Sequence, residues 1–232
     1  GVCASGILIR AVAPLLADKT TEPPLLSVAD DGSVVVPLLG GHRGANRLAR
    51  EVSEVLGGKA AVTTAGDVAL GVALDEPPLG YRLQNPRDAK AIMSKLLSGA
   101  APRVVGDNIF GLESDDEGPV DLVVTEAPLE GDGTRLVYHP QTYVLGVGCA
   151  RNADPEELER LVRDTLADAE IAPGAIAAVA TIDLKADEPA MNLIAERLGV
   201  PLRLFSADAL EKMTPRLAHP SEIVFSEVGT HG

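Results

Sequence analysis

The chain has 232 residues, enough for one large or two to three small domains at roughly 100–200 residues each. Apolar residues make up 46% and charged residues 23%, which excludes a disordered, collagen-like or mucin-like chain; 3% aromatic content without Trp leaves few stacking platforms for single-stranded nucleic acid. Lys and Arg number 20 against 34 Asp and Glu, and the net charge of -14 opposes non-specific attraction to nucleic acid or an anionic membrane, so neither is expected as a partner.

The chain opens at Gly1 without Met and runs at once into an apolar stretch, so the natural protein is expected to start earlier. Residues 33–39 (SVVVPLL) read as a buried strand, 40–44 (GGHRG) as a turn, and 45–56 as a helix with Leu48, Val52, Val55 and Leu56 at helical spacing and Gly57-Gly58 as its stop. Residues 60–64 then read as a returning strand. The sequence Asp75-Glu76-Pro77-Pro78 cannot continue a helix and reads as a linker. Beyond it, Asn85 and Pro86 open a helix towards Leu97, and strands are expected at 103–105, 120–125 and 134–138. The last part begins with strand 143–149, passes to a helix capped by Asp154, and continues with strand 176–182, a helix ending at Gly199 with Asp187 as cap, strand 201–205 and a Ser206-capped helix.

Short β-branched runs alternating with helices argue for an α/β fold of two or three small modules, with mainly parallel sheets flanked by helices. The expected modules are an amino-terminal α/β module at 1–72, a central module at 73–142 and a carboxy-terminal α/β module at 143–232. Their net charges are -1, -6 and -7, which makes the first the least repulsive host for an anion. Cys3 and Cys149 stand far apart, outside any CxxC or metal-ligand spacing, so no disulfide framework or zinc site is expected and a cytoplasmic location fits best. No apolar run reaches the ~20 residues that span a bilayer.

Two stretches could carry chemistry. Residues 40–46 (GGHRGAN) sit between a strand end and a helix start, where free backbone N–H groups and the helix dipole favour an anion and glycines let it come close. The spacing is not GxGxxG and lacks the Lys-Ser/Thr of a nucleotide phosphate loop; a tight turn capped by His42 is the plainer reading. Residues 181–189 (TIDLKADEP) place three carboxylates and one ammonium beyond a strand's carboxyl end, where open α/β sheets bind ligands. Capping accounts for Asp187 and Glu188, but not for Asp183 or Lys185. Cys149 is most simply a small buried hydrophobe, and His139, His219 and His231 stand singly, so no metal site is expected.

These stretches, with residues 6–19 (GILIRAVAPLLADK), 37–46 (PLLGGHRGAN), 63–67 (TTAGD), 146–149 (GVGC) and 181–188 (TIDLKADE) in one order along nearly the whole chain, resemble the G-type cobalamin biosynthesis proteins, the CbiG family of cobalt-precorrin-5A hydrolases. The resemblance implies an enzyme of corrin-ring synthesis that opens a δ-lactone on a contracted tetrapyrrole and releases two carbons as acetaldehyde. It implies a large, flat, polycarboxylated tetrapyrrole substrate that carries its own cobalt, with no further cofactor. Carboxylates need Arg/Lys forks and helix N-termini, so Arg10, Lys19, Gly41, Arg43, Gly44 and Asn46 are the expected substrate-binding residues, joined by Cys149, Asp187 and Glu188. His42 is the nominated base for water, Lys185 the oxyanion stabiliser, and Asp183 the group that keeps Lys185 charged and oriented; Cys149 is the less favoured nucleophile. Residues 77–97 are similar to the variant fused to a precorrin-3B methyltransferase, which makes such an enzyme an expected partner. The same residues also serve a second reading, a non-catalytic tetrapyrrole-binding or carrier module working with that methyltransferase.

Overall fold

The structure is a computed structural model and describes all residues except 19–21, 42, 43 and 232. In chain order the described elements are α1 (Ser5–Val12), β1 (Leu25–Val28), β2 (Val34–Leu39), α2 (Ala45–Leu56), β3 (Lys59–Ala60), α3 (Ala65–Ala69), β4 (Tyr81–Leu83), α4 (Ala89–Leu97) and β5 (Arg103–Val105). They continue with β6 (Asp121–Val124), β7 (Arg135–Pro140), β8 (Tyr143–Gly146), α5 (Pro155–Asp168), β9 (Ile176–Ile182), α6 (Pro189–Leu198), β10 (Leu202–Phe205), α7 (Ala207–Glu211) and α8 (Glu222–Val228). The sheets run β1-β2-β3, β4-β7-β6-β5 and β10-β9-β8. Backbone packing divides the chain into two compact units. One holds Gly1–Pro78, Asn85–Leu122 and Asp132–Leu136, the other Leu79–Gln84, Val123–Gly131 and Val137–Gly232.

In the second unit β9 (IAAVATI) is buried along most of its length and pairs parallel with β8 on one side and β10 on the other. Parallel neighbours need crossovers, and α5 and α6 supply them. The Asp154 carboxylate accepts the Glu156 N–H at 3.0 Å, Pro155 fits the first helical position, and Leu158, Val162 and Leu166 repeat every four residues on the buried face of α5. Helix α6 begins at Pro189, ends where Gly199 turns left-handed at φ 63°, and buries Ala190, Met191, Ile194 and Ala195. These side chains form one core with Ile176 and Val179, each large one contributing about 1.5–3 kcal/mol.

In the first unit β1 and β2 form an antiparallel hairpin whose turn is set by Asp31, which accepts the Ser33 N–H at 3.0 Å, and by Gly32 at φ 71°. Helix α2 then crosses over to β3, which runs parallel to β2. The helix has the expected bounds but not the expected inner face: Ala45, Asn46, Ala49 and Ser53 are buried, whereas Leu48, Val55 and Leu56 are exposed. Small residues let the helix axis lie close to β2, and that close approach outweighs the larger residues' gain on burial. The returning strand expected at 60–64 shrinks to Lys59–Ala60.

The α/β architecture expected from the sequence is present, as small sheets with flanking helices. Pairing is parallel throughout the β8-β9-β10 sheet and between β2 and β3, but antiparallel for β1 with β2 and β4 with β7. Two caps differ. Asn85 makes no cap bond; its amide donates to Asp88 and to the Arg135 carbonyl, at 2.7 and 2.8 Å. The α6 cap position belongs to Glu188, not Asp187. Among the described residues, no helix is long and apolar enough to cross a membrane.

Candidate functional site

The turn between β2 and α2 is built on glycine. Gly40 stands at φ 76°, and a Cβ there would lie 2.9 Å from the Pro24 Cα, so no larger residue fits. The Ala45 N–H closes the turn onto the Gly40 carbonyl at 3.0 Å. Gly44, buried and left-handed at φ 88°, presents its N–H at the start of α2, and the Glu76 carboxylate accepts it at 3.2 Å. A carboxylate of this chain thus occupies the kind of position the sequence reading assigned to an anion. Asn46 is buried and donates to the Thr64 hydroxyl at 2.9 Å, which ties the turn to the segment after β3. Gly41 is half-buried with room around it. Arg10 is exposed on α1 and donates to its own Gly6 carbonyl at 3.0 Å. Three expected residues, Lys19, His42 and Arg43, lie outside the described residues.

A second cluster forms at the carboxyl ends of β8 and β9, where loops after parallel strands converge. It brings together Cys149, Lys185, Asp187 and Glu188, with Asp183 at the start of the same loop. Two residues not singled out in the sequence complete it. The Arg151 guanidinium donates to the Asp187 carboxylate at 2.6 Å and to the Leu184 carbonyl, and its nearer nitrogen lies 3.8 Å from Glu188. Asn152, left-handed at φ 55° as Asn tolerates, donates its N–H to Glu188 Oε2 at 3.3 Å. Glu188 is 1% exposed, and its Oε1 has no hydrogen-bond partner among the described residues. A signal for Arg151 was present in the sequence: a cation two residues past Cys149 faces the acidic loop after the next parallel strand. Nothing marked Asn152, whose contribution is a backbone N–H.

Electrostatics separates these groups. The Arg151 hydrogen bond holds the Asp187 carboxyl below the usual carboxylate range and raises Arg151 in turn. Burial pushes the Cys149 thiol up and nearby Glu188 adds to this, against the pull of Lys185 and Arg151. Cys149 is therefore a neutral thiol at neutral pH, not an activated thiolate. Among the described residues Lys185 has no ion pair or hydrogen-bond partner for its ammonium, and none joins it to Asp183. Lys185 as a residue is half-buried.

Both clusters fall in regions that match known proteins. The family described as cobalamin synthesis G N-terminal matches residues 1–67, and the one described as cobalamin synthesis G C-terminus matches residues 143–232. The chain belongs to the cobalamin synthesis G family. It is 27% identical over 255 aligned positions to the cobalt-precorrin-5A hydrolase of Priestia megaterium, covering 98% of this chain and 68% of that protein. It is 30% identical over 232 positions to the cobalt-precorrin-5A hydrolase of Salmonella typhimurium LT2, covering 90% of this chain and 66% of that protein. A shorter match, 46% identity over 89 residues, is to Protein CobE of Sinorhizobium sp, covering 38% of this chain and 58% of that protein. The chain thus spans about two thirds of the length of the two hydrolases. The turn at 40–46 lies inside the amino-terminal family region, and residues 149–188 lie inside the carboxy-terminal one.

Proposed function

We propose that this chain is a cobalt-precorrin-5A hydrolase of cobalamin biosynthesis, acting in the cytoplasm, which opens the substrate's δ-lactone and releases acetaldehyde. The observation that carries the reading is 30% identity to a protein of that name over 90% of the chain. The tetrapyrrole brings its own cobalt, so the reading needs no resident cofactor. A precorrin-3B methyltransferase, fused or separate, is the proposed partner.

Lactone opening needs a base to deliver water and a donor for the developing oxyanion, because neutral water attacks esters slowly. His42 is proposed as the base. Lys185, an ammonium without a hydrogen-bond partner among the described residues and within electrostatic reach of Asp187, is proposed as the oxyanion donor. The N–H groups opening α2 are proposed to take a substrate carboxylate, in the manner of Glu76 on Gly44. Cys149, held neutral, is left out of covalent chemistry.

The test is incubation of the protein with the cobalt lactone, and separately with its metal-free counterpart, with assays for acetaldehyde and for a retained coloured complex. Acetaldehyde released over many turnovers supports the hydrolase. Stoichiometric binding without acetaldehyde makes the chain a carrier. In the hydrolase, His42→Ala lowers turnover by about 10²–10⁴-fold and Lys185→Gln by about 10²–10³-fold, whereas a carrier tolerates both.

A further inference from the structure

The second unit carries a half-open cavity of about 350 Å³ at the other end of β9 from the Cys149 cluster. Its wall includes His139, which is 3% exposed on β7 and which the function proposed above does not use. The His139 ring is fixed on two sides. Nδ1 lies 2.7 Å from the Thr125 carbonyl oxygen, which requires a proton on Nδ1 and leaves Nε2 as a lone-pair acceptor in the neutral ring. Cδ2 rests on Gly174, where a Cβ would come within 2.5 Å of it. His139 lines the cavity, and Nε2 has no hydrogen-bond partner among the described residues and is not among their fully buried atoms, which leaves the cavity as the place from which it can be reached.

The charges around the cavity are unevenly compensated. Arg82 on β4 is half-buried and, among the described residues, donates only to neutral acceptors, the carbonyls of Leu198 at 2.6 Å and Gly199 at 3.0 Å; burial pulls its pKa down from the usual guanidinium range. Arg197 is paired with Glu159. Glu130 is exposed, and its carboxylate accepts from Gln84 at 2.6 Å. The charge that water screens least is therefore the positive one on Arg82. Leu129 and Leu198 supply apolar wall, and the volume lies in the range of small-molecule sites.

We propose that this cavity binds a small hydroxy acid: its carboxylate on Arg82, its hydroxyl donating to His139 Nε2, and its apolar body against Leu129 and Leu198. A net charge of -1 compensates Arg82, and the hydroxyl satisfies the one ring nitrogen that the protein leaves open. A plain carboxylic acid meets only the first need. An amino acid zwitterion places an ammonium where the ring needs a donor but brings no net charge to Arg82.

The test uses the full chain and probes of matched size, read through the ring C–H signals of His139 in carbon-proton NMR. 3-Phenyllactate is expected to shift those signals saturably. 3-Phenylpropionate, which lacks the hydroxyl, binds about fivefold weaker, and 3-phenyllactamide, which lacks the charge, about tenfold or more weaker. In Arg82→Gln, with its fold checked by circular dichroism, the acid and the amide bind alike. Should that variant unfold for want of its bonds to the end of α6, the probe series on the unaltered chain decides. The proposal is overturned if the His139 signals do not move, if 3-phenylpropionate binds as tightly as 3-phenyllactate, or if L-phenylalanine binds as tightly or more so.

Discussion

The backbone N–H of Asn152 meets Glu188 Oε2 at 3.3 Å, and the other oxygen of that carboxylate, which is buried, has no partner among the described residues. A buried polar atom without a partner costs about 1–3 kcal/mol, so this carboxylate is held at some expense and is set to accept a donor from a bound molecule. Glu188→Ala removes the acceptor for Asn152 and leaves a void; it is expected to lower stability by about 2 kcal/mol in urea denaturation. Glu188→Gln keeps the shape and the acceptor for Asn152, so its loss stays below about 1 kcal/mol. If the alanine variant is as stable as the parent, Glu188 is not held as described.

The partner across the same loop gives a pH dependence. Arg151 lowers the Asp187 pKa in the folded chain, so the pair's stabilisation is present above the unfolded carboxylate value near 4 and is lost as pH falls through the lower folded value. Asp187→Asn should therefore lower stability at pH 7 by the pair's small, solvent-screened contribution and converge on the parent as pH falls below about 4, which flattens the acid limb by that same amount. An unaltered acid limb would remove Arg151–Asp187 from the account.

A different sign applies at the chain's end. The His231 ring lies 2.9 Å from the Glu211 carboxylate, its backbone N–H donates to the same group at 3.1 Å, and the ring stacks on Phe225 with centroids 4.4 Å apart. Glu211 first, and then Glu222, raises the His231 pKa. The clasp is therefore fully present below the unfolded value near 6.5 and weakens as pH rises through the folded value. Amide protection at Thr230 and His231, with the intrinsic base-catalysed rise in exchange divided out, should fall as pH rises above the unfolded value near 6.5, and His231→Phe should abolish that fall while keeping the stack.

The carboxy-terminal unit was the more legible in sequence. Asp154-Pro155, Pro189, Gly199 and Ser206 are local stop and start signals whose physics lies within a few residues, and the long apolar run at 176–182 has no use except as a buried strand. The Cys149 to Glu188 cluster followed from that, since loops after adjacent parallel strands must meet. What escaped depended on distant partners. Ala45, Ala49 and Ser53 are the buried face of α2 because β2 lies against them, which no helical pattern announces. Asn152 and Glu76 act through hydrogen bonds to residues more than 30 positions away. The His139 ring is set by Thr125 and Gly174, one in the preceding strand's exit and one before β9.

Cys149 provides a test of mechanism. Its thiol is pushed up by burial, so thiolate is scarce at neutral pH, and covalent catalysis would need the opposite shift. Cys149→Ser is expected to keep acetaldehyde release within about threefold of the parent. Iodoacetamide should modify Cys149 more slowly than a free thiol, read as the difference between the parent and the variant. Loss of turnover in the serine variant by two orders of magnitude, with substrate affinity kept, would instead assign Cys149 a direct role.

Gly40 and Gly41 separate the turn's structural duty from its binding duty. At Gly40 a side chain meets the backbone of Pro24 at 2.9 Å and must adopt φ 76°, so Gly40→Ala is expected to cost about 2 kcal/mol. At Gly41 the nearest atom to an added Cβ is the Asn46 amide at 3.8 Å, ordinary contact, so Gly41→Ala should change stability by less than about 0.5 kcal/mol. If the turn receives a substrate carboxylate as it receives Glu76, the added methyl of Gly41→Ala stands in the approach to its N–H groups. Affinity for the cobalt lactone then falls several-fold in a variant of unchanged stability, while Glu76→Gln, which weakens the carboxylate already seated on Gly44, raises it. Unchanged affinity in both variants would leave the turn a structural element only and move the search for the carboxylate anchors to Arg10 and Lys19.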